Sequence, residues 1–166
     1  MSCRLYPKKD VNNVYELTQA FYEQNNIKGV IFDIDNTLVK HTTPHPPAEL
    51  LNYFKMLESI GIKIAIVSNN KKERVETFSK QTGYIYYGRA YKPFKKYLLK
   101  VQNEFALPPQ NIALVGDQIF TDIYGANRMG FYSVIVTQLG ANETGFVAFK
   151  RIFERLVMAS YNRKKK

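Results

Sequence analysis

The chain has 166 residues, 45% of them hydrophobic and 23% charged, a composition that excludes a disordered or fibrous protein. The length fits one compact domain with a sizeable core, so we expect a single domain over residues 1–166. Cys3 is the only cysteine, which excludes an internal disulfide, and no apolar run reaches the roughly 18 residues of a membrane span. The first ten residues lack the apolar core of a secretory signal. We therefore expect a soluble, cytoplasmic protein.

The positive charge is concentrated in two segments. The net charge is +10 and the pI about 9.6, which suggests an anionic partner such as nucleic acid, a lipid surface or an acidic substrate. Residues 61–100 carry ten Lys or Arg against two Glu, and residues 141–166 carry seven against two. Residues 31–60 and 101–140 are each slightly acidic. The basic segments could equally well serve only to keep the protein soluble.

Short apolar runs alternate with amphipathic stretches along the chain. The pattern begins with a helix over about 11–24, for which Asp10 is a plausible N-cap. Five strands are predicted, at Gly29–Asp33, Lys63–Val67, Tyr84–Tyr87, Asn111–Val115 and Phe131–Val136. Helices are predicted between them, from Pro46-Pro47 to about Ile60, over Lys71–Lys80, from Pro93 to before Pro108, and from near Asp122 to Gly130. A basic helix and tail follow over about 147–166, with Arg163–Lys166 expected to be disordered.

This alternation predicts a three-layer, Rossmann-like α/β fold with a five-stranded parallel sheet. The loop after the first strand, KHTTPHPPAE, is short, and so is the segment from Gly83 to Pro93. Neither leaves room for an inserted cap domain, so we expect an open site.

Polar side chains gather where the predicted strands end. The first strand runs into Asp33-Ile34-Asp35-Asn36-Thr37, the second into Ser68-Asn69-Asn70, and the fourth into Gly116-Asp117 with Thr121-Asp122 following. Lys92 stands directly before a predicted helix. The carboxyl ends of parallel strands share one edge, and ligands bind where the strand order reverses. If the first strand is central, with the second and fourth beside it, three or four carboxylates converge there.

Such a cluster requires a cation. Two carboxylates about 4 Å apart repel by roughly 4 kcal/mol at an effective dielectric constant of 20. Oxygen ligands of this kind suit Mg²⁺, which binds few carboxylates together with waters and a substrate phosphate. Ser68, the backbone N–H groups of the SNN turn and Lys92 can hold the phosphate. One carboxylate can then form a phospho-aspartate while the one two residues away moves the proton.

The motifs DIDNTL, SNN, Lys92 in YKP and GDQIFTD resemble, in order, the four motifs of the haloacid dehalogenase (HAD) superfamily of phosphatases. The wider stretches FDIDNTLV, IVSNN, AYKP and VGDQIFTDIYGANRMG are similar to its capless YqeG-type branch, class IIIA. Relatives in this branch act on phosphatidylglycerophosphate, so the resemblance implies a bulky phosphomonoester of this kind as substrate.

The resemblance also implies a role for each motif residue. Asp33 would be the nucleophile and a Mg²⁺ ligand, and Asp35 would be the general acid/base and a ligand through its backbone carbonyl. Asp117 would complete the metal site. The remaining roles are phosphate binding by Ser68, Asn69 and Lys92, and support from nearby by Thr37 and Asp122.

Simpler interpretations exist for single residues. Asp35 or Asp122 could be a helix N-cap, Ser68 a turn residue, and Asn70 and Thr121 either caps or supports of the site. His41 and His45 lie in a loop without ligand spacing, and the tyrosines of YIYYGRAY are typical of strand packing, although they could stack on bases. Arg151, Glu154 and Arg155 resemble a solvated helix face or a basic docking patch.

Two functions from different classes therefore stay open. The first is a Mg²⁺-dependent phosphatase with an open site, in peripheral contact with an anionic membrane through its basic segments. The second is a HAD-like module whose basic surface binds RNA or a ribonucleoprotein with little catalysis. A receiver domain is disfavoured by the D-x-D spacing of Asp33 and Asp35. Neither the substrate nor the oligomeric state can be read from the sequence.

Overall fold

The computed structural model describes residues 4–140 and 146–165, with side chains described for 4–140 and 152–164. Its centre is a parallel sheet of six strands in the order β1-β6-β5-β2-β3-β4. The strands are β1 (Lys9–Val11), β2 (Gly29–Phe32), β3 (Lys63–Val67), β4 (Ile85–Tyr87), β5 (Ile112–Gly116) and β6 (Tyr132–Val136).

Within residues 4–140 and 146–165, six α-helices and three shorter turns connect and flank the strands. The helices are α1 (Gln19–Gln24), α2 (Ala48–Ser59), α3 (Lys72–Ser79), α4 (Lys96–Phe105), α5 (Tyr124–Met129) and α6 (Phe146–Lys165). The turns are 3₁₀ turns at Val14–Glu16 and Pro109–Asn111 and a π-turn at Ile119–Ile123 that leads directly into α5.

The helices form layers on both faces of the sheet, as the three-layer prediction requires. Successive strand residues point to opposite faces: Val30 and Phe32 pack with α1, α2 and α3, whereas Ile31 packs with α4 and α5. Helix α6 covers Ile135 of β6 on the α5 side, through Val157 and Met158. Because both faces of the sheet are covered, its central strands are apolar throughout.

The fold class is confirmed, and all five predicted strands occur with ends within one residue of the prediction. The sheet has a sixth strand because the helix predicted over 11–24 is wrong in its first half. Val11 pairs with Val136 in β1, so its backbone cannot enter a helix. The buried residues Val14 and Leu17 keep a helix-like spacing, but Asn13 caps only a 3₁₀ turn and α1 begins at Gln19. Asp10 lies in β1 and is not an N-cap.

The other predicted helices are present with shifted starts. Helix α4 begins at Lys96 rather than at Pro93, and the helix expected from Asp122 begins as the π-turn and continues as α5. Gly130, with φ +78°, ends α5 as predicted, since this left-handed conformation suits glycine.

The C-terminal basic segment is helical further than expected. Lys164 lies within α6, its Nζ 5.1 Å from the centre of the Tyr6 ring, so the prediction of a disordered tail is wrong for residues 163–165. Lys166 lies outside the described residues. Within the described part of the chain, no helix is both long and apolar enough to cross a membrane.

Candidate active site

Asp33 follows the central strand β2 directly and marks the centre of the site. Its backbone N–H donates to the Val115 carbonyl at 3.0 Å, so the ladder between β2 and β5 continues to this residue. The residue is only 7% exposed. Since β2 lies between β3 and β5, as expected from the sequence, side chains from both neighbours can reach this carboxylate.

Lys92 joins three elements through its ammonium group. Nζ lies 2.8 Å from Asp33 Oδ1 and 2.8 Å from Asp122 Oδ1, and it donates to the Val67 carbonyl at 2.6 Å. Asn69 fixes the lysine backbone, accepting from the Lys92 N–H at 2.6 Å and donating to the Lys92 carbonyl at 3.0 Å. The residue is only 4% exposed, and its ammonium group has one carbonyl and two carboxylate oxygens around it.

The electrostatics of this group are those of two buried carboxylates that share one cation. Burial raises the pKa of Asp33 to about 6; Lys92 opposes this shift, while Asp122 and Asp35 add to it. Burial by itself would lower the pKa of Lys92, but Asp122 and Asp33 hold this pKa above its ordinary value. Lys92 therefore stays charged at neutral pH, and Asp33 is ionised there as a carboxylate that carries a desolvation cost.

Asp35 is held by a residue that the sequence reasoning missed. Arg74 of α3 donates to Asp35 Oδ1 at 3.0 Å, and Asn70 donates to Oδ2 at 2.8 Å. The same guanidinium binds the carbonyls of Thr43 and Pro44, at 2.8 and 3.1 Å, and so fixes the loop after β2. An arginine in the first turn of the helix after the SNN motif is the signal that could have located this contact.

The Gly116-to-Asp122 segment places two further carboxylates. Asp117 is buried and accepts from the Thr37 hydroxyl at 3.3 Å. Asp122 accepts from the Gln118 N–H at 3.1 Å, closing the π-turn, in addition to its contact with Lys92. Gly116 lies so close to this carboxylate that an added Cβ would stand 2.3 Å from Asp122 Cγ.

Glu154 contradicts the prediction of a solvated helix face. This residue of α6 is 5% exposed, and its Oε1 accepts from the Ile119 N–H at 2.9 Å and the Phe120 N–H at 3.4 Å. These are N–H groups at the start of the π-turn, so the carboxylate acts as an N-cap supplied by a distant helix. Arg155, in contrast, is exposed as expected.

The remaining predicted residues surround this centre. The Ser68 hydroxyl is buried and accepts from the Asn70 N–H at 3.3 Å, and Asn69 contacts Lys92 as described above. Thr121 lies 3.5 Å from the Gln118 side chain, within the π-turn. His41 and His45 are exposed in the loop after β2, as expected for a solvated loop.

The acidic side chains of the site do not form a ready-made metal-binding cluster in the described residues. In the described part of the chain, no group of three His, Cys, Asp or Glu side chains is arranged to hold a metal ion. The expected convergence holds in part: Asp35 and Asp122 are near enough to Asp33 to raise its pKa, but Asp35 is paired with Arg74 and Asp122 with Lys92. The metal ligands expected from the sequence include the side chains of Asp33 and Asp117. Two carboxylates with a main-chain oxygen and waters are a donor set that fits Mg²⁺.

A cavity adjoins Asp117 on the β1 side of the site. It measures about 480 Å³ and lies between the ends of β1 and β6, the π-turn and α6. Its walls combine apolar side chains, such as Ile119 and Met158, with polar ones, such as Gln138 and Arg155. The site is therefore bordered by space in which a group larger than a phosphate could lie.

The fold is shared with solved structures. The "putative HAD superfamily (subfamily III A) hydrolase from Legionella pneumophila" superposes with a TM-score of 0.52 at 18% identity, over 87% of this chain and 89% of that chain. This likeness identifies the HAD fold.

The family follows from the sequence comparisons. The family model for mitochondrial PGP phosphatase matches residues 2–139, and the chain belongs to this family. "Probable phosphatase YqeG" of Bacillus subtilis (strain 168) is 32% identical over 158 residues, which are 95% of this chain and 92% of that protein. The chain is thus a HAD-type phosphatase, and its recognition from the motifs is confirmed.

A longer plant protein is also similar. The chloroplastic/mitochondrial phosphatidylglycerophosphate phosphatase 1 of Arabidopsis thaliana is 26% identical over 171 residues, 95% of this chain. The chain spans 47% of that protein, so about half of the plant protein has no counterpart here.

The first testable prediction concerns Gly116. We expect Gly116→Ala to displace the Asp122 carboxylate, because the new Cβ would overlap it, and to break the contacts of Asp122 with Lys92 and Gln118. Overpacking of this kind costs about 1–3 kcal/mol. Urea unfolding measures the loss. Gly125→Ala is the matched control, because there the Cβ meets nothing closer than 3.5 Å; an equal loss in both variants would contradict the prediction.

The second prediction concerns Glu154. Glu154→Ala leaves the N–H groups of Ile119 and Phe120 without this acceptor, so we expect the free energy of unfolding to fall by about 1–3 kcal/mol. Glu154→Gln keeps an acceptor oxygen and should lose clearly less. Arg155→Ala, at the exposed neighbour, is the control. If Ala and Gln are equally damaging, the hydrogen bonds to the π-turn do not explain the burial of Glu154.

The third prediction concerns the pH dependence of the metal-free protein. The pKa of Asp33 is raised in the folded state, so its contribution to stability is fully present below about pH 4 and is lost as the pH rises through 6. Relative to wild type in EDTA, Asp33→Asn should therefore gain stability between pH 4 and 8. The gain is on the order of 3 kcal/mol, at about 1.4 kcal/mol per pKa unit. A difference between the two proteins that does not change with pH would refute the raised pKa.

Proposed function

We propose that this phosphatase hydrolyses a phosphomonoester in two steps through a phospho-aspartate on Asp33, with Mg²⁺ as its cofactor. The observation that carries the proposal is the Lys92 ammonium group, which lies 2.8 Å from Asp33 at the end of the central strand. A buried carboxylate fixed on a rigid strand beside a permanent cation is suited to attack phosphorus. The same cation can hold an oxygen of the transferring phosphoryl group.

In the first step an oxygen of ionised Asp33 forms a bond to phosphorus, the bond from phosphorus to the ester oxygen breaks, and Asp35 donates a proton to the leaving alkoxide. In the second step water attacks the phosphorus, Asp35 takes the proton from this water, and the bond to Asp33 breaks. Phosphate and the starting carboxylate result, so atoms and protons balance. Arg74 and Asn70 hold the Asp35 side chain at the site.

Asp33, Asp117 and the backbone carbonyl of Asp35 would hold the Mg²⁺ ion, which would neutralise charge on the phosphate. Thr37 orients Asp117, and Asp122 orients Lys92. Ser68 and the N–H groups of its turn would bind the phosphoryl oxygens. Asn69 would act mainly through the Lys92 backbone, which it contacts on both sides.

For the substrate we propose phosphatidylglycerophosphate. The family and the plant relative are named for it. In the described residues, the segments after β2 and β4 are loops rather than inserted domains, which leaves the site accessible to a bulky lipid head group. The cavity beside Asp117 would take up part of this head group.

A single domain over residues 1–166 and a cytoplasmic location stay predictions. We do not propose RNA binding, because the family is one of phosphatases.

The fourth prediction tests the mechanism. We expect Asp33→Asn to lower phosphate release by at least about a thousandfold, because an amide cannot attack phosphorus, and EDTA to abolish wild-type activity. Asp35→Asn should slow the second step and accumulate acid-stable radiolabelled protein. The measurement compares phosphatidylglycerophosphate in mixed micelles with p-nitrophenyl phosphate. Glu23→Gln, at an exposed carboxylate of α1 outside the cavity, is the control, and full activity of Asp33→Asn would exclude the mechanism.

A further inference from the structure

Helix α6 lies beyond residues 2–139, the part of the chain that the family model matches. Its inner face binds the domain: Glu154 accepts from the π-turn, Met158 packs on the cluster around Ile135, and Tyr161 donates to Asp10 at 3.2 Å. The helix is thus fixed to the segment that carries Asp117 and Asp122.

The outer face of α6 is apolar where a solvated helix would be polar. Ile152 is 56% exposed, Leu156 is 64% exposed, and Phe153 between them is 47% exposed. Exposed basic side chains lie on the same helix at Arg155, Arg163 and Lys164. Large apolar side chains flanked by Lys and Arg on one helix are typical of helices that lie in the interface of an anionic membrane.

The contacts of α6 show which end of this helix is near the active site. Glu154 meets the π-turn, which follows the carboxyl end of β5, whereas Lys164 meets Tyr6, which precedes β1. All strands are parallel, so α6 runs from the carboxyl edge of the sheet, where Asp33 lies, toward the opposite edge. Ile152 and Phe153 therefore stand at the edge that carries the site.

A second apolar pair flanks Lys92 at the same edge. Tyr91 is 61% exposed and Phe94 is 68% exposed, although the Lys92 side chain between them is buried. Arg89, Lys95 and Lys96 next to this pair are exposed and basic. Because this loop follows β4 and α6 lies beside β6, exposed apolar and basic groups occur on both flanks of the nucleophile.

We infer that the carboxyl edge of the sheet docks on the interface of an anionic bilayer, with Ile152 and Leu156 of α6 on one flank and Tyr91 and Phe94 on the other entering the head-group region. This inference rests on the proposed lipid substrate, but the docking can be measured without catalysis. The net charge of +10 complements anionic lipid, and the bound orientation turns Asp33 toward the membrane. A phosphomonoester at the bilayer surface then reaches the site without leaving the membrane.

The chain has no tryptophan, so a single introduced one reports its own environment. Ile152→Trp should shift its emission to the blue with phosphatidylglycerol vesicles, far less with phosphatidylcholine vesicles, and less again at high salt. Asn52→Trp, exposed on α2 across the sheet, is the control and should not shift. No shift at position 152, an equal shift at position 52, or a shift with RNA but not with vesicles would overturn the inference.

The fifth prediction concerns two substitutions that place negative charges on the exposed apolar face of α6. The double variant Ile152→Asp with Leu156→Asp should bind phosphatidylglycerol vesicles at least about tenfold more weakly, because two exposed apolar contacts are replaced by repulsive charges. Its hydrolysis of p-nitrophenyl phosphate should be unchanged, while hydrolysis of phosphatidylglycerophosphate in vesicles falls by a similar factor. Leu99→Asp, which charges an exposed leucine of α4, is the matched control.

The outcomes separate the two proposals. Unchanged vesicle binding by the double variant would overturn the docking surface even if the enzyme hydrolyses the lipid. Loss of vesicle binding by an enzyme that never hydrolyses the lipid would support the surface and refute the substrate. A concentration-dependent dimer in sedimentation without vesicles, abolished by the double variant, would show that a second copy covers this face and would also overturn the inference.

Discussion

The structure of the site depends on one buried ammonium group placed between two buried carboxylates. Lys92 contacts Asp33 from the central strand and Asp122 from the π-turn, and it also binds the last carbonyl of β3. Breaking such a group by removing one partner is costly, because an uncompensated charge stays buried. The lysine thus connects the segments after β2, β3 and β5, and the position of each depends on the other two.

The supporting contacts follow from this constraint. A lysine side chain is flexible, so its backbone must be fixed if its charge is to be placed, and Asn69 does this with two hydrogen bonds. Asp122 must approach β5 closely to reach the ammonium group, and only a glycine at position 116 leaves space for it. The π-turn that carries Asp122 exposes N–H groups at its start, and Glu154 satisfies two of them. Packing of α6 is therefore connected to the geometry of Asp122 through a short chain of contacts.

The sequence predicted the site best where polar residues directly follow an apolar strand. Apolar runs located the central strands, and the polar residues after them predicted that Asp33 and Asp117 lie at one edge of the sheet, because parallel strands bring their carboxyl ends together. The sequence predicted less where a site residue is held by a charged side chain that lies far away in the sequence on an amphipathic helix. Arg74 and Glu154 are charged residues on amphipathic helices, and residue type alone does not separate a charge with a partner in the fold from a solvated one; only the position of Arg74 in the first turn after the SNN motif gives a signal. The first strand was missed for a similar reason, since three residues at a sheet edge with helix-like apolar spacing carry no local signal.

Exposed apolar side chains lie on both flanks of the site, and the site itself is bordered by loops rather than by an inserted domain in the described residues. These two features are connected. The segments after β2 and β4 are loops in the described residues, so bulk water would have to be limited at the site by other means, and a low-dielectric surface laid over the site can do so. Tyr91 and Phe94 lie next to Lys92, and α6 is fixed through Glu154 to the segment that carries Asp117. Contact of both flanks with one surface would hold the catalytic segments between them in a single arrangement. On the proposed docking, the bilayer would take the place of a cap domain, and the surface that covers the exposed leucine and isoleucine of α6 would be the one that holds the proposed substrate.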